Sequence, residues 1–159
     1  MSASEPSAGV IVGREHQLPV RIYYEDTDFT GVVYHANYLR YFERGRSDFF
    51  RLAGISHTEF LALPEPTAFS IIRIELDFRR AARIDDALLV RTTYDSVTGA
   101  RLNVSQSITR DDQLLAEAKV TAVCIDLKGR AIRPPRMMME RLSPLFAPQP
   151  PPAAAAAAP

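Results

Sequence analysis

Cysteine is nearly absent from this 159-residue chain: Cys124 stands alone. A single thiol excludes an intrachain disulfide framework and a cysteine-based zinc site, and it fits a cytosolic compartment. No sign of charge prevails, with 19 Lys+Arg against 19 Asp+Glu and a formal net charge of zero. That balance removes any global argument for nucleic acid or an anionic membrane surface. No stretch approaches the roughly 18 consecutive apolar residues of a transmembrane helix. The start, MSASEPSAGVIVGREHQLPV, carries Glu5 early, no basic opening and no long apolar run, so it does not read as a secretory signal. Internal repeats are missing. So are a glycine-rich phosphate loop, HExxH and GxSxG, the usual signatures of nucleotide, zinc-hydrolase and serine-hydrolase chemistry.

What is present is a chain that is 47% hydrophobic. That supports one domain with a real core and is too short for two comfortable ones. The ends differ from the middle. Met1 to Leu18 is small, polar and aperiodic, and Ser143 to Pro159 is dominated by proline and alanine. Proline removes backbone donors and favours extended chain, and the alanine run has no face to bury. The expected organisation is a flexible segment over 1–18, a folded domain over 19–142 and a disordered Pro/Ala-rich tail over 143–159.

Within the domain, Val20, Ile22 and Tyr24 alternate with Arg21, Tyr23 and Glu25, a strand period. A loop with Gly31 follows. Tyr38, Tyr41, Phe42, Gly45, Phe49 and Leu52 then recur at three and four, which predicts a helix over Asn37–Ala53 with Asn37 as N-cap and Gly54 just past its end. Gly45 inside it predicts close approach of another backbone. A short helix is expected at His57–Leu63. Alternation resumes in AFSIIRIELDFRR, ALLVRTTYDSV, RLNVSQSITR and LLAEAKVTAVCIDL. The short links around Gly99 and at Asp111–Gln113 predict antiparallel neighbours. The fold class is α+β: one long central helix wrapped by an antiparallel sheet of about five strands. Such a sheet leaves edges to manage, which favours self-association.

Tyr24, Glu25, Asp26, Asp28 and His35 crowd one strand-to-helix junction. A helix start presents free N–H groups and partial positive charge, which can hold a polarised carbonyl oxygen or the oxyanion that follows. A carboxylate beside them can be nucleophile or general base. Asp28 is equally a turn aspartate in this reading, His35 a capping histidine and Tyr24 a packing tyrosine. Glu43 and Arg46 form a surface pair, Glu25 and Asp26 are surface charges, His57 starts a helix and Cys124 is core. Arg79, Arg80, Arg83 and Lys128–Arg130 can meet phosphates or simply face water.

The stretch VRIYYEDTDFTGVVYHANYLRYFERGR, with an aspartate three residues before a glycine and seven before a histidine, resembles the signature of hotdog-fold acyl-CoA thioesterases. It is most similar to the 4-hydroxybenzoyl-CoA thioesterase group and its Tol–Pal-associated bacterial branch. The resemblance covers nearly all of Pro19 to Leu142, including RIDDALLV and AEAKVTAVCID. It implies thioester hydrolysis with Asp28 catalytic, Tyr24 and His35 auxiliary, and the His35 amide polarising the carbonyl. It implies an acyl-CoA substrate, short-chain or aromatic, with CoA as part of the substrate and no cofactor or metal. The implied assembly is a homodimer or homotetramer with sites at the interface. An acyl carrier protein is an alternative source of the acyl group. The implied location is cytoplasmic, or peripheral to the inner membrane. A non-catalytic acyl-CoA or acyl-carrier-protein scaffold beside the Tol–Pal system is the rival from another class, and a hotdog dehydratase a weaker one. Phe29 and Thr30 stand where the family usually has small residues, a departure at the mouth of the expected pocket.

Overall fold

A computed structural model describes residues 4–146. In chain order the strands are β1 (Val10–Val12), β2 (Glu15–Arg21), β3 (Ala68–Phe78), β4 (Ala87–Thr98), β5 (Arg101–Arg110) and β6 (Gln113–Ile125). The helices are α1 (His35–Leu52), α2 (His57–Leu61) and α3 (Arg136–Leu142). The strands form one antiparallel sheet in the order β1-β2-β4-β5-β6-β3. The α+β class is as expected, with six strands instead of about five.

The apolar stripe of α1 explains its place. Tyr38, Tyr41, Phe42, Phe49 and Phe50 are buried and share one core with Val90, Tyr94, Leu102, Val104, Ile108 and Val120 of the sheet. Phe49 and Phe50 both lie against Tyr94, with ring centroids 4.7 and 5.1 Å apart. Alternation in β4 and β5 puts every second residue into that core. Gly45 allows the close approach. A Cβ there would sit 2.7 Å from Thr92 Oγ1 and 3.1 Å from Val90 Cγ1. The neighbours are thus strand side chains, not the backbone that the sequence pattern suggested.

Several boundaries move. The sheet begins well before residue 19: β1 and β2 form a hairpin around Gly13, whose φ of 63° suits a turn. His16, Val20 and Ile22 are buried, so the expectation of flexible chain through Leu18 fails for this hairpin. The first strand also ends earlier, and Tyr24–Asp26 is a 3-10 turn. The long helix starts at His35, not Asn37, with Tyr34 as N-cap. At its far end Gly54 takes φ 79°, as its place after the helix predicts. α2 stops at Leu61. β3 does not neighbour β4; it crosses to the far edge and pairs with β6. The link from Phe78 to Ala87 is no hairpin turn, and hydrophobic alternation carries no record of which strand is a partner.

Near the other end, α3 buries Met138 and Leu142, and the 3-10 turn Ser143–Leu145 brings Leu145 and Phe146 against the core. The tail expected from 143 therefore has two residues, Leu145 and Phe146, packed on the domain, while Ser143 and Pro144 are exposed. The rest of it, residues 147–159, lies outside the described residues. Among the described residues no helix is long and apolar enough to cross a membrane.

Candidate active site

Gly31, at φ 83°, turns the chain between β2 and α1. The Asp28 amide donates to the Val32 carbonyl at 3.0 Å, and the Gly31 amide to the Asp28 carbonyl at 3.1 Å. Val33 then reaches the neighbouring loop, its amide donating to Ala82 O at 2.8 Å. The loop is tied to the helix by Asp26. The Tyr34 amide and Asn37 Nδ2 both donate to Asp26 O, at 3.0 and 2.8 Å. Asp26 Oδ2 accepts from the Tyr23 amide at 2.7 Å. Asp26 is buried, so it is a structural clamp and not the surface charge expected. Asn37 likewise serves inside the first turn of α1 instead of capping it.

Glu25 is exposed, the surface charge expected, and Asp28 is the carboxylate within the turn itself. Its Oδ1 accepts from the Thr30 amide at 2.8 Å and the Thr30 hydroxyl at 2.5 Å. These bonds, the hydroxyl's first, hold its pKa below the ordinary carboxylate value, with a small contribution from His35. The group thus stays ionised near neutrality, where a base or nucleophile needs it. The turn reading of Asp28 is as expected: its backbone builds the turn, while Oδ1 is held by Thr30 and Oδ2 accepts from no donor among the described residues.

His35 is the first residue of α1, with its ring against Tyr34 at 4.5 Å. No side chain caps this helix start. The Asn37 amide donates to the Tyr34 carbonyl at 2.9 Å, while the His35 and Ala36 amides keep their donors for another acceptor. His35 also lines a cavity of about 260 Å³ with Val33, Tyr38, Phe78, Arg79, Arg80 and Ala81. Its floor is aromatic, Tyr38 meeting Phe78 edge-on at 5.3 Å, and its rim is basic. Tyr38 closes the far wall by accepting from the Ala82 amide at 3.1 Å. Asp86 braces the same loop through the Arg83 amide and Arg110 Nη1, at 2.8 and 2.6 Å. Burial opposes its charge, yet these partners hold its pKa down.

Tyr24 stands apart from Asp28 and His35. It is 86% exposed, and no hydrogen bond joins it to either. Tyr23, Phe29 and Tyr34 are also exposed, Phe29 completely. The segment between β2 and α1 therefore presents four exposed aromatic rings to its surroundings. Of the basic residues, Arg79 pairs with Glu117 at 2.8 Å and Arg130 with Asp126 at 2.7 Å. Arg80 and Arg83 make no ion pair among the described residues and remain available to phosphate.

Farther along α1, Glu43 pairs with Arg46 at 3.0 Å as expected, but Arg46 is buried and also donates to Gln106 Oε1 at 2.8 Å. His57 lies within 3.5 Å of Ser47 Oγ. Burial pushes the Cys124 thiol up to about 11, as for an inert core cysteine. Sequence reasoning missed His16, whose Nε2 donates to Asp48 Oδ2 at 2.7 Å in the core. Among the described residues no group of three or more His, Cys, Asp or Glu is placed to hold a metal.

Residues 23–156 match the Thioesterase-like superfamily. The acyl-CoA thioesterase YbgC of Haemophilus influenzae is 40% identical over 110 residues, 69% of this chain and 80% of that protein. The crystal structure of a probable thioesterase from Bartonella henselae is 39% identical and superposes with a TM-score of 0.74, covering 76% of this chain and 99% of that one. A mutant 4-hydroxybenzoyl-CoA thioesterase complexed with 4-hydroxybenzoyl-CoA shares the hotdog fold, with a TM-score of 0.75 over 80% of this chain and 98% of that one, at 22% identity.

Proposed function

The chain belongs to the Thioesterase-like superfamily, and we propose that it hydrolyses acyl-CoA thioesters to the free acid and CoA, with Asp28 as nucleophile or general base. The observation that carries the reading is the pairing of an ionised, half-tethered carboxylate with an uncapped helix start. The identity to the curated acyl-CoA thioesterase supports the substrate class.

The chemistry follows from that pairing. The thioester oxygen lies against the His35 amide, which stabilises the charge that grows on it. In the base route Asp28 takes a proton from water, and the hydroxide adds to the carbonyl carbon. The intermediate then expels the CoA thiolate, which recovers the proton from Asp28. In the nucleophile route an Asp28 oxygen adds to the carbonyl and the thiolate leaves. Water then cleaves the mixed anhydride. Tyr24 and His35 take auxiliary roles in orienting the acyl group and water, His35 from the lining of the cavity. The cavity beside His35, about 260 Å³ with an aromatic floor, favours a short or aromatic acyl group. Arg80 and Arg83 suit the CoA phosphates. A second copy of the chain covers the open rim, through the edge strand β3.

Free-thiol release over an acyl-CoA panel tests this. Asp28→Asn keeps the shape and removes the charge. Hydrolysis is expected to fall at least about 10²-fold, with acyl-CoA binding retained. Full activity in folded Asp28→Asn rejects the reading. Tight acyl-CoA binding without thiol release in the wild type supports the scaffold instead. Single turnover in ¹⁸O-water that labels Asp28 establishes the nucleophile route with water attacking the aspartyl carbonyl, and trapping of the acyl group on Asp28 reports that route when water attacks the acyl carbonyl instead.

A further inference from the structure

We propose that Thr30 is a positioning residue for the Asp28 carboxylate, saturating Oδ1 with two donors and leaving Oδ2 as the oxygen that attacks or takes the proton. This rests on the reading of Asp28 as the reactive group. It adds a residue of this chain to the machinery and says which carboxylate oxygen reacts.

The geometry is specific. Thr30 approaches Oδ1 from its amide at 2.8 Å and its hydroxyl at 2.5 Å. An ionised carboxylate has about four lone-pair sites, two on each oxygen. Both sites on Oδ1 are therefore occupied, and among the described residues no donor reaches Oδ2. The Asp28 backbone is fixed as well, through its amide to Val32 O and its carbonyl from the Gly31 amide. With backbone and one oxygen both held, the carboxyl plane has no free rotation, and Oδ2 keeps one direction. A carboxylate that must meet a carbonyl or a water at a defined angle gains from that restraint.

The hydroxyl is the informative half of the contact. The amide hydrogen bond survives any residue 30 other than proline, so an alanine or valine there would lose only the second donor. Hydrogen bonds to the charged form favour it. The Thr30 hydroxyl is accordingly the first cause of the lowered Asp28 pKa. Thr30 thus has two separable effects: it aims Oδ2, and it keeps the carboxylate ionised into more acid solution.

The test uses the full chain as wild type, Thr30→Val, Thr30→Ser and Asp28→Asn. Two quantities are measured: the titration of the Asp28 carboxyl carbon by ¹³C NMR, and the pH profile of acyl-CoA hydrolysis. In Thr30→Val, Asp28 is expected to titrate at higher pH, and the acid limb of kcat/KM to move up with it. Its plateau kcat should fall about three- to tenfold, from lost orientation, with KM little changed. Thr30→Ser keeps a hydroxyl and should restore all three. An unmoved Asp28 titration in Thr30→Val overturns the proposal, even if kcat falls, because the hydroxyl would then not act on the carboxylate. Thr30→Ser that behaves like Thr30→Val overturns it too. Thr30→Ala replaces Thr30→Val should the valine disturb folding. Asp28→Asn with full activity fails the functional reading separately, and the NMR titration still decides whether Thr30 holds the carboxylate.

Discussion

His16 and Asp48 put an imidazole and a carboxylate inside the core, which is tolerable only because each gives the other a partner. Asp48 Oδ2 accepts from His16 Nε2 at 2.7 Å and from the Gly9 amide at 2.8 Å, and Oδ1 accepts from Arg51 at 3.3 Å. The network locks the hairpin of β1 and β2 to the middle of α1. His16→Leu removes one donor and leaves a buried carboxylate under-satisfied. Urea denaturation is expected to show a loss of about 1–3 kcal/mol, with the site loop untouched. No loss would mean that Gly9 and Arg51 alone satisfy Asp48. The sequence held a hint of His16: it shares strand parity with Leu18, Val20 and Ile22, and so points at the core. Asp26 and Arg46 carried no such hint. Each is buried by contacts with residues distant in sequence or across a turn, and spacing along one element does not encode those. The placement of Asp28 and His35 at one junction was legible because that junction is local, a turn running directly into a helix.

At the scale of elements, α1 and the sheet meet through Gly45. Thr92 Oγ1 and Gln106 Nε2 would lie 2.7 and 3.3 Å from a Cβ there. Neither can easily move. Gln106 Nε2 donates to Thr92 Oγ1 at 2.8 Å and to Phe42 O at 2.9 Å, while its Oε1 accepts from Arg46. Gly45→Ala should therefore destabilise, against helix propensity. Alanine gains about 1 kcal/mol in an exposed helix interior, but overpacking a fixed core costs about 1–3 kcal/mol. A lowered denaturation midpoint checks it, and a raised one would show that the Gln106 network yields. The period of α1 and of β4 to β6 made these elements readable, because each buries one face and so alternates cleanly. β3 was readable as a strand but not in its place, since an edge strand exposes both faces. The helix start at His35 was blurred for a different reason: Tyr34 caps it without a side-chain hydrogen bond, so no capping residue marked it.

For the whole molecule, the unfinished parts lie together. β3 pairs with β6 on one side and offers its other side unpaired, at the end of the sheet. Ile71, Ile72, Ile74 and Phe78 are 41%, 53%, 36% and 51% exposed along it. A long edge with this much apolar surface invites another strand, and a second copy of the chain would close it symmetrically. Phe78 also lines the cavity beside His35, so the same edge would serve both the proposed interface and the proposed site. Dimer formation and catalysis should consequently fail together. The double variant Ile72→Lys/Ile74→Lys places two like charges on the edge without touching Asp28, Thr30 or the helix start. Light scattering is expected to show a dimer or tetramer for the wild type and a monomer for the variant. Circular dichroism should keep the strand and helix signal, because neither isoleucine belongs to the main core. Thiol release should fall in parallel with the loss of dimer and partly recover at high protein concentration. A wild type that is monomeric and fully active at micromolar concentration, or a double variant that stays dimeric, would place the interface elsewhere.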